Sequence, residues 1–250
     1  MCTLVCRWAP GEAVPIQTLA LRDELASRAF DTPGAWWPDQ PAVIGGRDQS
    51  AGGTWCASDV GSGVTAVVLN RAERRTAAPG APSRGILPML AVRSGPRWAD
   101  SIDVAPMAGF NLVLVTPDSL TWWSFDGTSL VAQSLQPGTH MFTPNGRSVP
   151  ILDARFADGQ ALVSADLAGR TDQVWRNWLP IIADSTPRED ALALLVRIPV
   201  GDDVFETVFG QFIAARPGVL RLDYAVRPAH ASLWTTARWR TEGGAATLLG

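Results

Sequence analysis

The chain has no lysine; its 21 basic residues are all arginine. That absence excludes Schiff-base chemistry on a lysine amine and the phosphate loop that closes on Gly-Lys-Ser/Thr. Histidine is nearly as scarce, with His140 and His230 alone. Cys2, Cys6 and Cys56 are an odd set with no zinc-type spacing, so no metal site is expected. No apolar run reaches the ~18 residues of a membrane span, and none is expected. The first residues, Met1-Cys2-Thr3-Leu4-Val5-Cys6-Arg7, lack a basic stretch ahead of a long apolar one. A signal peptide is therefore not expected, and the cytoplasm is the default location. The net charge is −3. A nucleic-acid binder usually carries a basic stripe, so no nucleic-acid partner is expected.

What is present suits a large core. The 250 residues are 46% hydrophobic and 18% charged. With no internal repeat or low-complexity linker, a single domain over residues 1–250 is the simplest description. Cys2 to Trp8 reads as a strand, Ala9-Pro10-Gly11 as a turn, and Ile16 to Leu21 as a second apolar run that ends in Arg22-Asp23-Glu24. Paired as a hairpin, these strands bring residues 22–24 back beside Cys2; continuation of Leu19-Ala20-Leu21 into a helix is the alternative. In a strand, Cys2 and Cys6 share a face about 13 Å apart at ~3.3 Å per residue, too far to bridge.

Further on, Phe30 to Pro41 reads as a Pro- and Trp-rich loop. Gly45-Gly46-Arg47-Asp48 and Gly52-Gly53 bracket a turn. Val64 to Leu69 reads as a strand ending at Asn70, and Arg71 to Arg84 as an exposed connection. Leu87 to Val92 looks helical. Asn111–Val115 and Ser119–Phe125 form a hairpin, and Ser129–Leu135 another strand. Ala161–Leu167 and Arg176–Ala183 suggest helix or mixed structure, and Arg188–Val196 a helix. Glu206–Ala214, Val219–Val226 and Leu233–Trp239 return to strand character. This order suits an α+β fold of two antiparallel sheets with helices packed outside them.

Cys2 is the residue richest in chemistry. Removal of Met1 would place its thiol and the α-amine on one residue. That amine, with a reference pKa of ~8, can activate the thiol. The alternative is an ordinary small residue after the initiator. Arg22-Asp23-Glu24 reads either as a solvated cluster ending a strand or as part of a pocket.

The run Gly45-Gly46-Arg47-Asp48-Gln49-Ser50-Ala51-Gly52-Gly53-Thr54-Trp55, taken with Arg22-Asp23-Glu24 and Cys2, resembles the Transport and Golgi organisation 2 family, also called the NRDE family. Trp36-Trp37, Leu69-Asn70, Ser83-Arg84-Gly85, Gly109-Phe110-Asn111-Leu112 and Pro137-Gly138-Thr139-His140 agree with it. The resemblance implies a four-layer αββα sandwich of the N-terminal-nucleophile (Ntn) hydrolase type, with Cys2 at the nucleophile position. It makes Arg22 and Asp23 the groups beside the nucleophile and Asn70 an oxyanion donor. An asparagine ending a strand is also an ordinary turn residue. Two departures stand out. The family tetrad Asn-Arg-Asp-Glu reads Leu21-Arg22-Asp23-Glu24 here, and the asparagine expected soon after His140 is displaced to Asn145, behind Pro144.

The function expected is hydrolysis of a small-molecule amide or acyl (thio)ester bond by Cys2 without a cofactor. Glu24, Trp36, Trp37, Arg84, His140 and Asn145 are the candidate ligand-binding residues. Trp36 and Trp37 suit a ligand mouth or burial against the sheets equally. The alternative is a haem or acyl-group binding and trafficking protein. Haem needs an axial ligand, for which His140, His230, Cys2 and Tyr224 are available. A scaffold that has lost its activity is the third reading, motivated by Leu21.

Overall fold

In the computed structural model the described residues are 2–71, 76–149, 154–156, 166–190, 193–228 and 233–249. Alternation along the first strand, β1 (Cys2–Trp8), sets the layering. Leu4, Cys6 and Trp8 face one core, while Val5 faces another on the opposite side. β2 (Ile16–Leu25) repeats the pattern, with Ile16 and Ala20 facing inward and Leu19 and Leu21 outward.

The seven strands of one sheet are β3 (Phe30–Gly34), β4 (Val43–Asp48), β5 (Cys56–Asp59), β6 (Thr65–Asn70), β7 (Phe110–Val115), β8 (Leu120–Phe125) and β9 (Leu130–Ser134), paired in that order. The other sheet has nine: β1 and β2, then β10 (Gly138–Thr143), β11 (Gly146–Ser148), β12 (Arg197–Val200), β13 (Asp203–Arg216), β14 (Val219–Val226), β15 (Thr235–Glu242) and β16 (Ala245–Leu249). Its order is β11-β10-β1-β2-β13-β14-β15-β16, with β12 also on β13. All named pairings are antiparallel.

The inward faces of both sheets meet in one core that includes Leu4, Cys6, Ala20, Val67, Leu69, Val113, Phe209 and Ile213. Each such large side chain contributes about 1.5–3 kcal/mol by leaving water. The helix α1 (Leu87–Ser94) covers the outer face of the seven-stranded sheet, setting Leu87, Met89 and Ala91 against Ala66, Val68 and Leu112. Two short helices, α2 (Thr171–Val174) and α3 (Leu179–Ala183), cover Val5, Leu19, Leu21 and Phe212 on the other sheet. Strand takes up 47% of the described residues and helix 14%. Two antiparallel sheets are present as expected, but this thin cover makes the molecule more strand-rich than the αββα sandwich the sequence suggested.

Two local expectations are corrected. Phe30–Gly34 is a strand and not the start of a loop, because Phe30 and Asp31 pair with Asp48 and Arg47 at the edge of the sheet. Arg188–Val196 is not a helix: Arg188 donates its N–H to Leu195 O at 3.0 Å and accepts from Arg197 N at 2.9 Å, a parallel bridge between Arg188 and Val196. Within that stretch, residues 191–192 lie outside the described residues, as do 161–165 of the Ala161–Leu167 segment. Cys2, Cys6 and Cys56 are all free thiols.

Candidate active site

The β1–β2 hairpin sets Arg22 directly opposite Cys2. A cavity of about 160 Å³ opens at that end of the two sheets. Cys2, Arg22, Asp23 and Glu24 from the nine-stranded sheet line it, together with Asp48, Trp55, Asn70 and the Ser83–Gly85 segment.

Arg22 is 4% exposed and is held by rings as well as by charge. Its guanidinium lies 4.7 Å from the Trp55 ring centroid and 5.3 Å from that of Phe30. Its Nη2 donates to Asp48 Oδ2 at 3.0 Å and lies 3.7 Å from Glu24 Oε2. Gly46 makes this possible, because a Cβ there would fall 2.3 Å from the Trp55 ring. Asp48 also accepts from Arg28 Nε at 2.7 Å and from the N–H groups of Ser50 and Ala51. Burial would raise the Asp48 carboxyl, but these hydrogen bonds and the two arginine charges hold it below its ordinary range.

Asp23 is 5% exposed and accepts from the Thr207 hydroxyl at 2.6 Å. Successive strand residues point to opposite faces. The β2–β13 register shifts between Thr207 and Phe209, opposite Asp23 and Arg22, and both of these residues line the cleft. Burial pushes the Asp23 carboxyl up to about 6, against the pull of the Thr207 hydrogen bond.

Cys2 is partly buried. Burial raises its thiol above the ordinary value, and the Asp23 charge adds to this. The Asp23 backbone N–H and the Arg22 charge act the other way. Arg22 therefore favours the thiolate, but desolvation outweighs it. Asn70 ends β6, exposed, at the rim of the same cleft.

The structure thus brings together Cys2, Arg22, Asp23, Glu24, Asn70 and Arg84. It leaves out four expected ligand-binding residues. Trp36 donates to Thr32 O at 2.9 Å and lies under the Arg47 guanidinium at 4.8 Å. Trp37 donates to Gly52 O at 3.3 Å and packs toward α1. His140 pairs with Cys6 across the β1–β10 ladder and is 7% exposed, and its Nε2 is engaged by Gln136 O at 2.8 Å. Asn145 is exposed in the β10–β11 turn.

Among the described residues, the candidate haem ligands do not converge on one opening. His140 is turned into the structure, Tyr224 stacks on Phe209 at 5.9 Å, and Cys2 faces the small polar cleft. His230 lies outside the described residues. Among the described residues no group of three or more metal-ligating side chains forms, and no helix is long and apolar enough to cross a membrane.

Sequence reasoning missed Asp48, Arg28, Trp55 and Thr207. The signal for Asp48 was its place in Gly45-Gly46-Arg47-Asp48, where the glycines suggested a turn and drew attention from the carboxylate.

The family model described as Transport and Golgi organisation 2 matches residues 1–200. The chain belongs to this family. A search of curated proteins found no match. The Transport and Golgi organisation 2 match takes in all the cleft residues from Cys2 to Gly85 and ends before β13, so Thr207 lies beyond it.

Proposed function

We propose that the chain is an Ntn-type hydrolase in which Cys2 attacks an amide or acyl (thio)ester carbonyl of a small molecule. The observation that carries this reading is that Cys2, Arg22, Asp23 and Asn70 line one small cleft. Helical cover on both outer faces of the paired sheets supports an Ntn-like αββα arrangement acting as one unit over residues 1–250, because the cleft draws on both sheets.

The mechanism needs Met1 removed. The freed α-amine of Cys2 takes the thiol proton, which matters because burial keeps the thiol protonated. The thiolate adds to the carbonyl carbon. Asn70 donates to the oxyanion, a contribution of about 3–4 kcal/mol where such donors have been removed elsewhere. The ammonium returns the proton to the leaving group as the scissile bond breaks, leaving an acyl thioester on Cys2. Water, deprotonated by the same amine, releases the acid. Asp23, held by Thr207, orients the ammonium, and Arg22 steadies the developing thiolate.

Intact mass, alkylation and a panel of amide and thioester substrates test this. Loss of Met1, labelling of Cys2 ahead of Cys6 and Cys56, and turnover abolished in Cys2→Ala are expected. Turnover that persists in Cys2→Ala overturns the reading.

A further inference from the structure

We propose that the cleft is a carboxylate seat built on Arg84, so that the substrate is a small amide or acyl compound carrying an anionic group a few bonds from the scissile carbonyl. For turnover this rests on the hydrolase reading; for binding it rests on the charges of the cleft alone.

Three guanidinium groups line the cavity: Arg22, Arg28 and Arg84. Asp48 and Glu24 both engage Arg22 and Arg28. Asp23 is tied to Thr207. Arg84 has no ion pair among the described residues. Its Nη1 donates to Gly109 O at 2.9 Å, which accounts for one of its five N–H donors. Arg22, in the same lining, carries a further unsatisfied donor: its Nη1, itself buried, has no hydrogen-bond partner. Burial works against the Arg84 charge; the Glu24 charge acts the other way, but no carboxylate among the described residues lies within ion-pair distance of Arg84. A ligand that brings an anion into contact is favoured. The planar arginine fork suits carboxylate oxygens.

The seat is held in advance of any ligand. Gly53 and Gly85 touch backbone to backbone; a Cβ on Gly53 would fall 2.6 Å from the carbonyl of Gly85. Thr54 N–H donates to Gly85 O at 2.9 Å, and Gly85 N–H donates to Ser83 Oγ at 3.2 Å. These contacts fix the backbone on either side of Arg84 against the turn that follows Asp48. Because Arg84 and Cys2 line one cavity of about 160 Å³, an anion held by Arg84 keeps its acyl carbonyl within reach of the thiol.

The test uses N-acetylglycine and its neutral counterpart N-acetylglycinamide, titrated calorimetrically into the Cys2→Ala chain. The carboxylate is expected to bind about tenfold tighter, the size of a charged hydrogen-bonded contact. Arg84→Gln should bring the ratio close to one, and Arg84→Lys should keep part of it, which separates lost charge from lost folding. Equal affinities, no binding of either probe, or a preference that survives Arg84→Gln overturns the seat. Carboxylate-selective binding with no turnover by the unaltered chain would remove the hydrolase reading and leave the seat standing. Turnover without charge preference would do the reverse.

Discussion

Two arginine–carboxylate pairs lie on opposite faces of the nine-stranded sheet and differ in what they leave unused. On the outer face, Arg221 and Asp223 are fully buried at 0% exposure. Arg221 Nε and Nη2 donate to the two carboxylate oxygens at 2.6 and 2.8 Å, and Nη1 donates to Leu167 O and Gly169 O. Asp223 also takes hydrogen bonds from Thr171, Thr236 and Trp175. This pair is saturated and stitches the segment ahead of α2 to the sheet. On the inner face, Arg22 leaves Nη1 unpartnered and opens onto a cavity. The same chemistry builds a fastening where every donor is used and a site where one is kept free.

The saturated half can be broken first. Removing one partner of a buried pair leaves an uncompensated charge, so Asp223→Ala should lower the unfolding free energy by about 3–5 kcal/mol in urea titration. Alkylation of Cys2 in the folded fraction should keep its rate, since no cleft group touches this pair. A slowed Cys2 would mean that the two faces are coupled.

Leu21→Asn sharpens the contrast next. The family tetrad has a polar residue here, but Leu21 is 1% exposed and packs on the outer face beneath the short helices. Its side chain does not line the cleft, so restoring asparagine should destabilise by about 2–3 kcal/mol and leave cleft chemistry unimproved. A gain in turnover would show that this position reaches the site. Gly53→Ala strikes the open half. Overlap with Gly85 should cost about 1–3 kcal/mol and lower the preference for N-acetylglycine, because Arg84 shifts with it. Gly52→Ala, where the φ of 70° is strained but the space is open, should cost about 1 kcal/mol and keep the preference.

The smallest effect concerns pH. Burial raises Asp23 from 3.8 to about 6. The folded state therefore binds the proton more tightly, and the stability this gives is present below pH 3.8 and fades as pH rises through 6. Turnover should show an acid limb near pH 6. Thr207→Val removes a hydrogen bond to the ionised form and should move that limb slightly upward. A limb that stays in place would assign it to another group.

Much of the frame was legible in the sequence because it rests on local alternation. The β1–β2 hairpin, with Cys2 facing Arg22, and the β7–β8 hairpin around Thr116–Ser119 follow from apolar runs and turn residues. The illegible parts depend on partners distant in sequence. Phe30–Gly34 contains a proline and reads as loop, yet an edge of the sheet needs only some of its N–H groups. Asp48 draws its meaning from Arg22 and Arg28, and Thr207 its meaning from a strand 184 residues away. For Trp36 and Trp37 a ligand mouth and burial stayed open alternatives, because composition cannot say which ring packs under Arg47 and which toward α1.

That last separation carries a consequence in time. Asp23 emerges early in synthesis and meets Thr207 only after 184 more residues have been made, on the order of 10 s or longer at ~5–20 residues per second. Contacts of such long range also form slowly. The nascent chain thus carries Cys2 and Arg22 well before the hydroxyl that steadies Asp23, and the cleft is completed only once β13 has been made.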